Sequence, residues 1–87
     1  MQRKTLVISS SEGLRARPAT LLVQTASKFE SQVFIEREGQ KINAKSLMGV
    51  LSLGLRKGEG INLIIMGEDE NKAMEAITQL VEKNFSI

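Results

Sequence analysis

The spacing of apolar residues changes along this 87-residue chain in an order that leaves few folds open. Residues 3 to 9 (RKTLVIS) form a β-branched and aliphatic run that reads as a strand. SSSEGLR then reads as a loop. Beyond Pro18, the only proline, Ala19, Leu22, Val23, Ala26 and Phe29 recur at helical spacing. Proline has a fixed φ and no N–H, which suits the first turn of a helix, so a helix is predicted from about 16 to 28. Residues 32 to 37 (QVFIER) predict a second strand. Glu38-Gly39 marks a tight turn, and Lys41-Ile42-Asn43 returns as a short third strand. Ser46 stands as N-cap before a short apolar helix over 47 to 53, which Gly54 ends. INLIIMG, residues 61 to 67, is the last strand. Glu68-Asp69-Glu70 places acid at the start of a final helix, whose apolar face is Ala73, Ala76, Ile77, Leu80 and Val81. The order β-α-β-β-α-β-α predicts an α+β domain spanning the whole chain, a sheet covered by helices on one face.

Composition narrows the chemistry. The chain has neither cysteine nor histidine, which excludes disulfides, thiol catalysis and the usual zinc sites. It also removes the side chain that most often moves protons and phosphoryl groups near neutral pH. A net charge of +2 comes from 12 basic and 10 acidic residues scattered without a tract. With no Trp or Tyr and only Phe29, Phe34 and Phe85, the chain offers few stacking platforms for single-stranded nucleic acid. The longest apolar run, Ile64-Ile65-Met66, is too short to cross a membrane, and no secretory leader is evident. A cytoplasmic protein that is not an enzyme is expected, with no metal or cofactor.

Three features could carry function. Gly13-Leu14-Arg15-Ala16-Arg17-Pro18 puts two arginines at the start of the first helix. They suit an anion or a partner's carboxylates, although spacing alone favours a pair of solvated surface arginines. Lys45-Ser46-Leu47-Met48-Gly49 contains a serine N-cap, which is a common structural device and also a place where added phosphate need not unfold the domain. Leu47, Met48, Val50, Leu51 and Leu53 cannot all face inward from so short a helix. Leu47, Met48 and Leu51 are expected at the surface, where apolar clusters mark binding sites.

On GLRARPATLLVQTASKF (13 to 29), NAKSLMGVLSLG (43 to 54) and GEDE (67 to 70), the chain resembles the HPr family of the bacterial phosphotransferase sugar-uptake system. The resemblance implies an open-faced β-sandwich, four antiparallel strands under three helices. The family pattern G-[IL]-H-A-R-P-A carries phosphate on its histidine, where this chain has Arg15. A guanidinium has no free nucleophilic nitrogen at ordinary pH, so Arg15 cannot serve as carrier. The family's helper arginine, Arg17, is retained. In Gram-positive HPr-like proteins the second motif's serine, by resemblance Ser46 here, is phosphorylated by HPr kinase/phosphorylase. The product is a corepressor of a LacI-type catabolite control regulator.

One branch of the family, the Crh-like branch, lacks the histidine and keeps the serine, usually with glutamine where Arg15 stands. The resemblance implies a partner-binding face of Arg15, Arg17, Thr20, Leu21, Gln24, Lys45, Leu47, Met48 and Leu51. It implies a monomer or weak homodimer, with the first strand a candidate for exchange between copies. No direct contact with nucleic acid or membrane is implied. Two other readings stay open: a phosphotransferase-system component disabled at the carrier position, by nature or by design, and a module that binds a metabolic enzyme.

Overall fold

A computed structural model describes residues 1–86. Its elements follow the order read from the sequence: β1 (Gln2–Val7), α1 (Ala16–Ser27), β2 (Gln32–Arg37), β3 (Gln40–Asn43), α2 (Leu47–Ser52), β4 (Gly60–Met66) and α3 (Glu70–Glu82). The four strands form one antiparallel sheet in the order β1-β4-β2-β3. Strand side chains alternate between faces, so the register decides which residues meet. Ile65 lies opposite Val33, Leu63 opposite Ile35, and Ile61 opposite Leu6. All six are buried on the face that the helices cover. Ala19, Leu22 and Ala26 of α1, Val50 of α2, and Ala73, Ile77, Leu80 and Val81 of α3 close the core from above.

Element ends differ from expectation where the backbone finds partners the local pattern does not show. The first strand ends at Val7, yet Ile8 continues the ladder for one step: its N–H donates to Glu59 O at 2.9 Å and its carbonyl accepts from Gly58 N at 2.6 Å. In the β2–β3 loop, Glu38 and Gly39 both have positive φ, as a two-residue type I′ hairpin requires. At α3, Asp69 occupies the N-cap position without capping. Glu70 instead accepts from Gly67 N at 3.1 Å and pairs with the N-terminal ammonium at 2.9 Å. On α3 the inward face includes Met74 and Thr78, while Ala76, expected inside, is only half-buried.

The other sheet face is open and has its own order. Arg3 pairs with Glu36 at 2.9 Å, Thr5 donates to Asn62 at 2.9 Å, and the Lys41 ammonium stands 4.9 Å from the centre of the Phe34 ring. This face lies opposite the helices.

Candidate functional site

Two loops set the position of the GLRARP motif. Gly13 has φ +67, and a Cβ there would lie 2.3 Å from Leu55 O. Only glycine combines that conformation with that approach. Leu14 N–H donates to Leu55 O at 3.0 Å, Gly13 N–H to Ser10 O at 3.0 Å, and Ser10 Oγ to Gly13 O at 2.6 Å. The loop before α1 is thereby tied to the loop before β4.

From this anchor the chain enters α1 through Arg15, which is extended (φ −147) and makes no side-chain cap. Ala16 follows with φ +54, a left-handed conformation that costs a residue with a Cβ about 1–2 kcal/mol. Pro18 is buried in the first turn, as its chemistry predicts. Arg15 and Arg17 are both exposed, and neither makes an ion pair among the described residues. A guanidinium at position 15 can bind and orient an anion but cannot accept a phosphoryl group.

Ser46 is held by a short series of local bonds. Asn43 Oδ1 accepts from Lys45 N at 2.8 Å, and Ser46 N donates to Asn43 O at 3.1 Å. The Ser46 hydroxyl accepts from Gly49 N at 3.1 Å, so the expected N-cap is present. Ser46 is exposed, and a Cβ on Gly49 would stand 3.4 Å from its Oγ.

Val50 alone of α2 is buried, at 0% exposure, and it fixes the rotation of the helix. Its neighbours therefore turn outward: Leu47 and Leu51 are each 40% exposed and Met48 is 79% exposed. The exposed apolar trio expected from the sequence is present. Leu51 also lines a cleft with Arg15, so the structure brings the end of the patch and the arginine motif together. Arg56 and Lys57 line the same cleft. No local pattern singles them out, because they reach it from a loop some forty residues further along the chain.

Two residues of the expected partner-binding face are less exposed than the others. Leu21 is only 8% exposed and packs in the core, since it falls on the inward side of α1 with Leu22. It supports the face from beneath and offers a partner little surface of its own. Lys45 is half-buried, and its ammonium donates to Phe29 O at 2.7 Å, near the end of α1. The charge expected at the surface is spent on a carbonyl. Thr20 and Gln24 are exposed, with the Thr20 hydroxyl donating to Ala16 O at 3.2 Å.

Two carboxylates steady the surrounding loops. Glu59 accepts from the Arg37 guanidinium at 2.7 Å and from Arg56 N at 2.6 Å, and these bonds hold its carboxyl at about 2, below its ordinary 4.5. Asp69 accepts from the Ser31 hydroxyl and, at 3.0 Å each, from Glu30 N and Ser31 N. Those donors lower its pKa, the Ser31 hydroxyl most.

A family model described as the PTS HPr component phosphorylation site matches residues 2–83. The HPr-like protein Crh of Halalkalibacterium halodurans is 48% identical over 83 residues, which make up 95% of this chain and 99% of that protein. HPr-C-His from Thermoanaerobacter tengcongensis superposes with a TM-score of 0.96 at 47% identity, over 98% of this chain and 96% of the other. Crh of Bacillus subtilis, described as a dimer with a swapped domain, superposes with a TM-score of 0.77 at 41% identity over 100% of both chains. Among the described residues no helix is long and apolar enough to cross a membrane. The motifs, the sheet order and these likenesses agree, and the chain belongs to the HPr family.

Proposed function

We propose that this protein is a regulatory member of the HPr family, switched by phosphorylation of Ser46 and acting in carbon catabolite repression rather than in histidine phosphotransfer. One observation carries the reading. An exposed serine hydroxyl stands at the rim of the exposed Leu47, Met48 and Leu51 patch, in a chain with arginine at the carrier position and no histidine anywhere.

In this reading HPr kinase/phosphorylase transfers the γ-phosphoryl group of ATP to Ser46 Oγ. The Oγ–P bond forms, the β–γ bridging bond breaks, ADP leaves, and the serine proton passes to a base of the kinase. The product adds close to two negative charges at pH 7 at the rim of an exposed apolar patch whose far end, Leu51, shares a cleft with Arg15. A LacI-type regulator then docks on that face as its corepressor's partner. Arg17 and Arg15 supply charge-assisted bonds, and Met48 supplies adaptable apolar contact. The likeness to Crh of Bacillus subtilis, whose description names catabolite repression, supports this reading.

The test is peptide mapping by mass spectrometry after incubation with the kinase and ATP. One phosphoryl group on Ser46, absent from Ser46→Ala, is expected. The phosphorylated protein should then bind the regulator, and Arg15→Gln should weaken that binding. An unmodified chain, under conditions that modify an ordinary HPr, would overturn the reading. Tight binding of a metabolic enzyme by the unphosphorylated protein would instead favour the interaction-module reading, for which the exposed patch is already assembled.

A further inference from the structure

The five arginines fall into two groups. Arg3 and Arg37 each meet a glutamate, at 2.9 Å and 2.7 Å. Arg15, Arg17 and Arg56 make no ion pair among the described residues, and all three line the clefts where the loop before α1 meets the loop before β4. One open cleft there, of about 670 Å³, is lined by Arg15, Arg56 and Lys57 together with Ser11 and Glu12. A second, of about 330 Å³, adjoins it through Lys57, Ser11 and Glu12 and adds Arg17. Four cations thus share two joined hollows with a single lining carboxylate.

The walls are fixed before any ligand arrives. The Leu14–Leu55 backbone bond ties the two loops, and Gly58 N donates to Ile8 O at 2.6 Å. Glu59, the acid nearest Arg56 in sequence, is committed to the Arg37 guanidinium and to the Arg56 backbone N–H. Arg56 therefore has no side-chain partner within its own loop. Like charges gathered on one hollow repel one another, and a bound polyanion removes that repulsion. Guanidinium forks match phosphate oxygens in pairs, and a lysine adds a movable point charge. The larger hollow has the volume of ordinary small-ligand sites, roughly 300–1,000 Å³.

We propose that this basic cleft is a binding site for a phosphorylated small molecule carrying two or more negative charges, held by Arg15, Arg56 and Lys57, with Arg17 reaching from the adjoining hollow. The site shares Arg15 and Arg17 with the proposed docking face, and Leu51 of that face lines the same cleft, but it needs neither the kinase nor phosphate on Ser46, so either reading can fail without the other.

Inorganic pyrophosphate is the probe, titrated into the full unphosphorylated chain and followed by backbone amide NMR at about 0.15 M salt, where exposed charges further apart than about 8 Å are largely screened. Saturable shifts are expected in residues 11–15 and 54–58. The double variant Arg56→Ala/Lys57→Ala should bind about tenfold or more weakly, the loss expected for one or two charge-assisted contacts. Lys72→Ala/Lys83→Ala, which removes the same charge from exposed positions on or beside α3, should bind as the parent does. Shifts that never saturate, or equal weakening in both double variants, would overturn the site and leave only net charge. Binding of an acidic peptide to the same amides with no response to pyrophosphate would also overturn it, giving the cleft to a protein partner.

Discussion

Gly13 and Gly39 make a controlled pair for testing how the two loops at the cleft are held. Both have positive φ, +67 and +81, so alanine at either position carries a left-handed penalty of about 1–2 kcal/mol. They differ in surroundings. A Cβ on Gly39 meets nothing within 4 Å, whereas one on Gly13 would lie 2.3 Å from Leu55 O and 2.9 Å from Arg56 Cα. Those atoms are backbone and cannot rotate away. The loops must separate, weakening the Leu14–Leu55 bond, and forced overpacking of this kind costs about 1–3 kcal/mol more. Gly13→Ala should therefore destabilise by roughly 2–5 kcal/mol and Gly39→Ala by roughly 1–2 kcal/mol. At about 4–8 °C per kcal/mol for a domain this size, the first should lower Tm by roughly 8–40 °C and the second by roughly 4–16 °C. Urea unfolding of parent and both variants measures the difference directly, provided the slope with urea stays constant. Equal losses in the two variants, within about 0.5 kcal/mol, would show that close approach to Leu55 contributes nothing and refute the packing argument.

Three further outcomes follow from the same structure. Ser46→Ala removes the cap on Gly49 N and should cost about 1 kcal/mol in urea unfolding, apart from any loss of phosphorylation. Met48→Ser, at a position 79% exposed, should change stability by less than about 0.5 kcal/mol. Surface plasmon resonance should nevertheless show lost binding of the Ser46-phosphorylated form to the regulator. Glu59 is charged in the folded protein down to about pH 2, below its ordinary 4.5. Its depressed pKa means stability that is present above pH 4.5 and is lost as pH falls towards about 2. Glu59→Gln should flatten that part of the Tm-against-pH curve; an unchanged curve would remove the Arg37 pair from the acid response.

Local chemistry made much of this legible. Hairpin residues Glu38-Gly39, the Ser46 cap and the apolar run of β4 each signal their structure within a few neighbours, so sequence spacing locates them. The candidate site divides along the same line. The outward turn of Met48 follows from a helix too short to bury five apolar residues, but the burial of Leu21 depends on how α1 rolls against the sheet. Lys45 reads as a surface charge because Phe29 O, its partner, lies 16 residues away in the loop after α1. Asp69 reads as a helix-start acid because Ser31, whose hydroxyl and N–H it accepts, is 38 residues away. Arg56 and Lys57 look like ordinary loop cations until the Leu14–Leu55 bond draws their loop to Arg15. Contacts within a turn are written in the local pattern; contacts between elements are not.

The strand order has a consequence for how the chain comes together in time. β2 and β3 are joined by a two-residue loop and can zip as soon as both exist. β1 is an edge strand whose ladder is formed only with β4, and Thr5 and Asn62, which meet across it, are 57 residues apart in the chain. Closing so long a loop is entropically costly and slows folding relative to local pairing. During synthesis from the N-terminus, the first strand to be made must wait with its ladder groups unmet until most of the chain has emerged. Its escort in that interval is its own sequence: Arg3 and Lys4 put charge on an exposed edge, which discourages pairing with other chains.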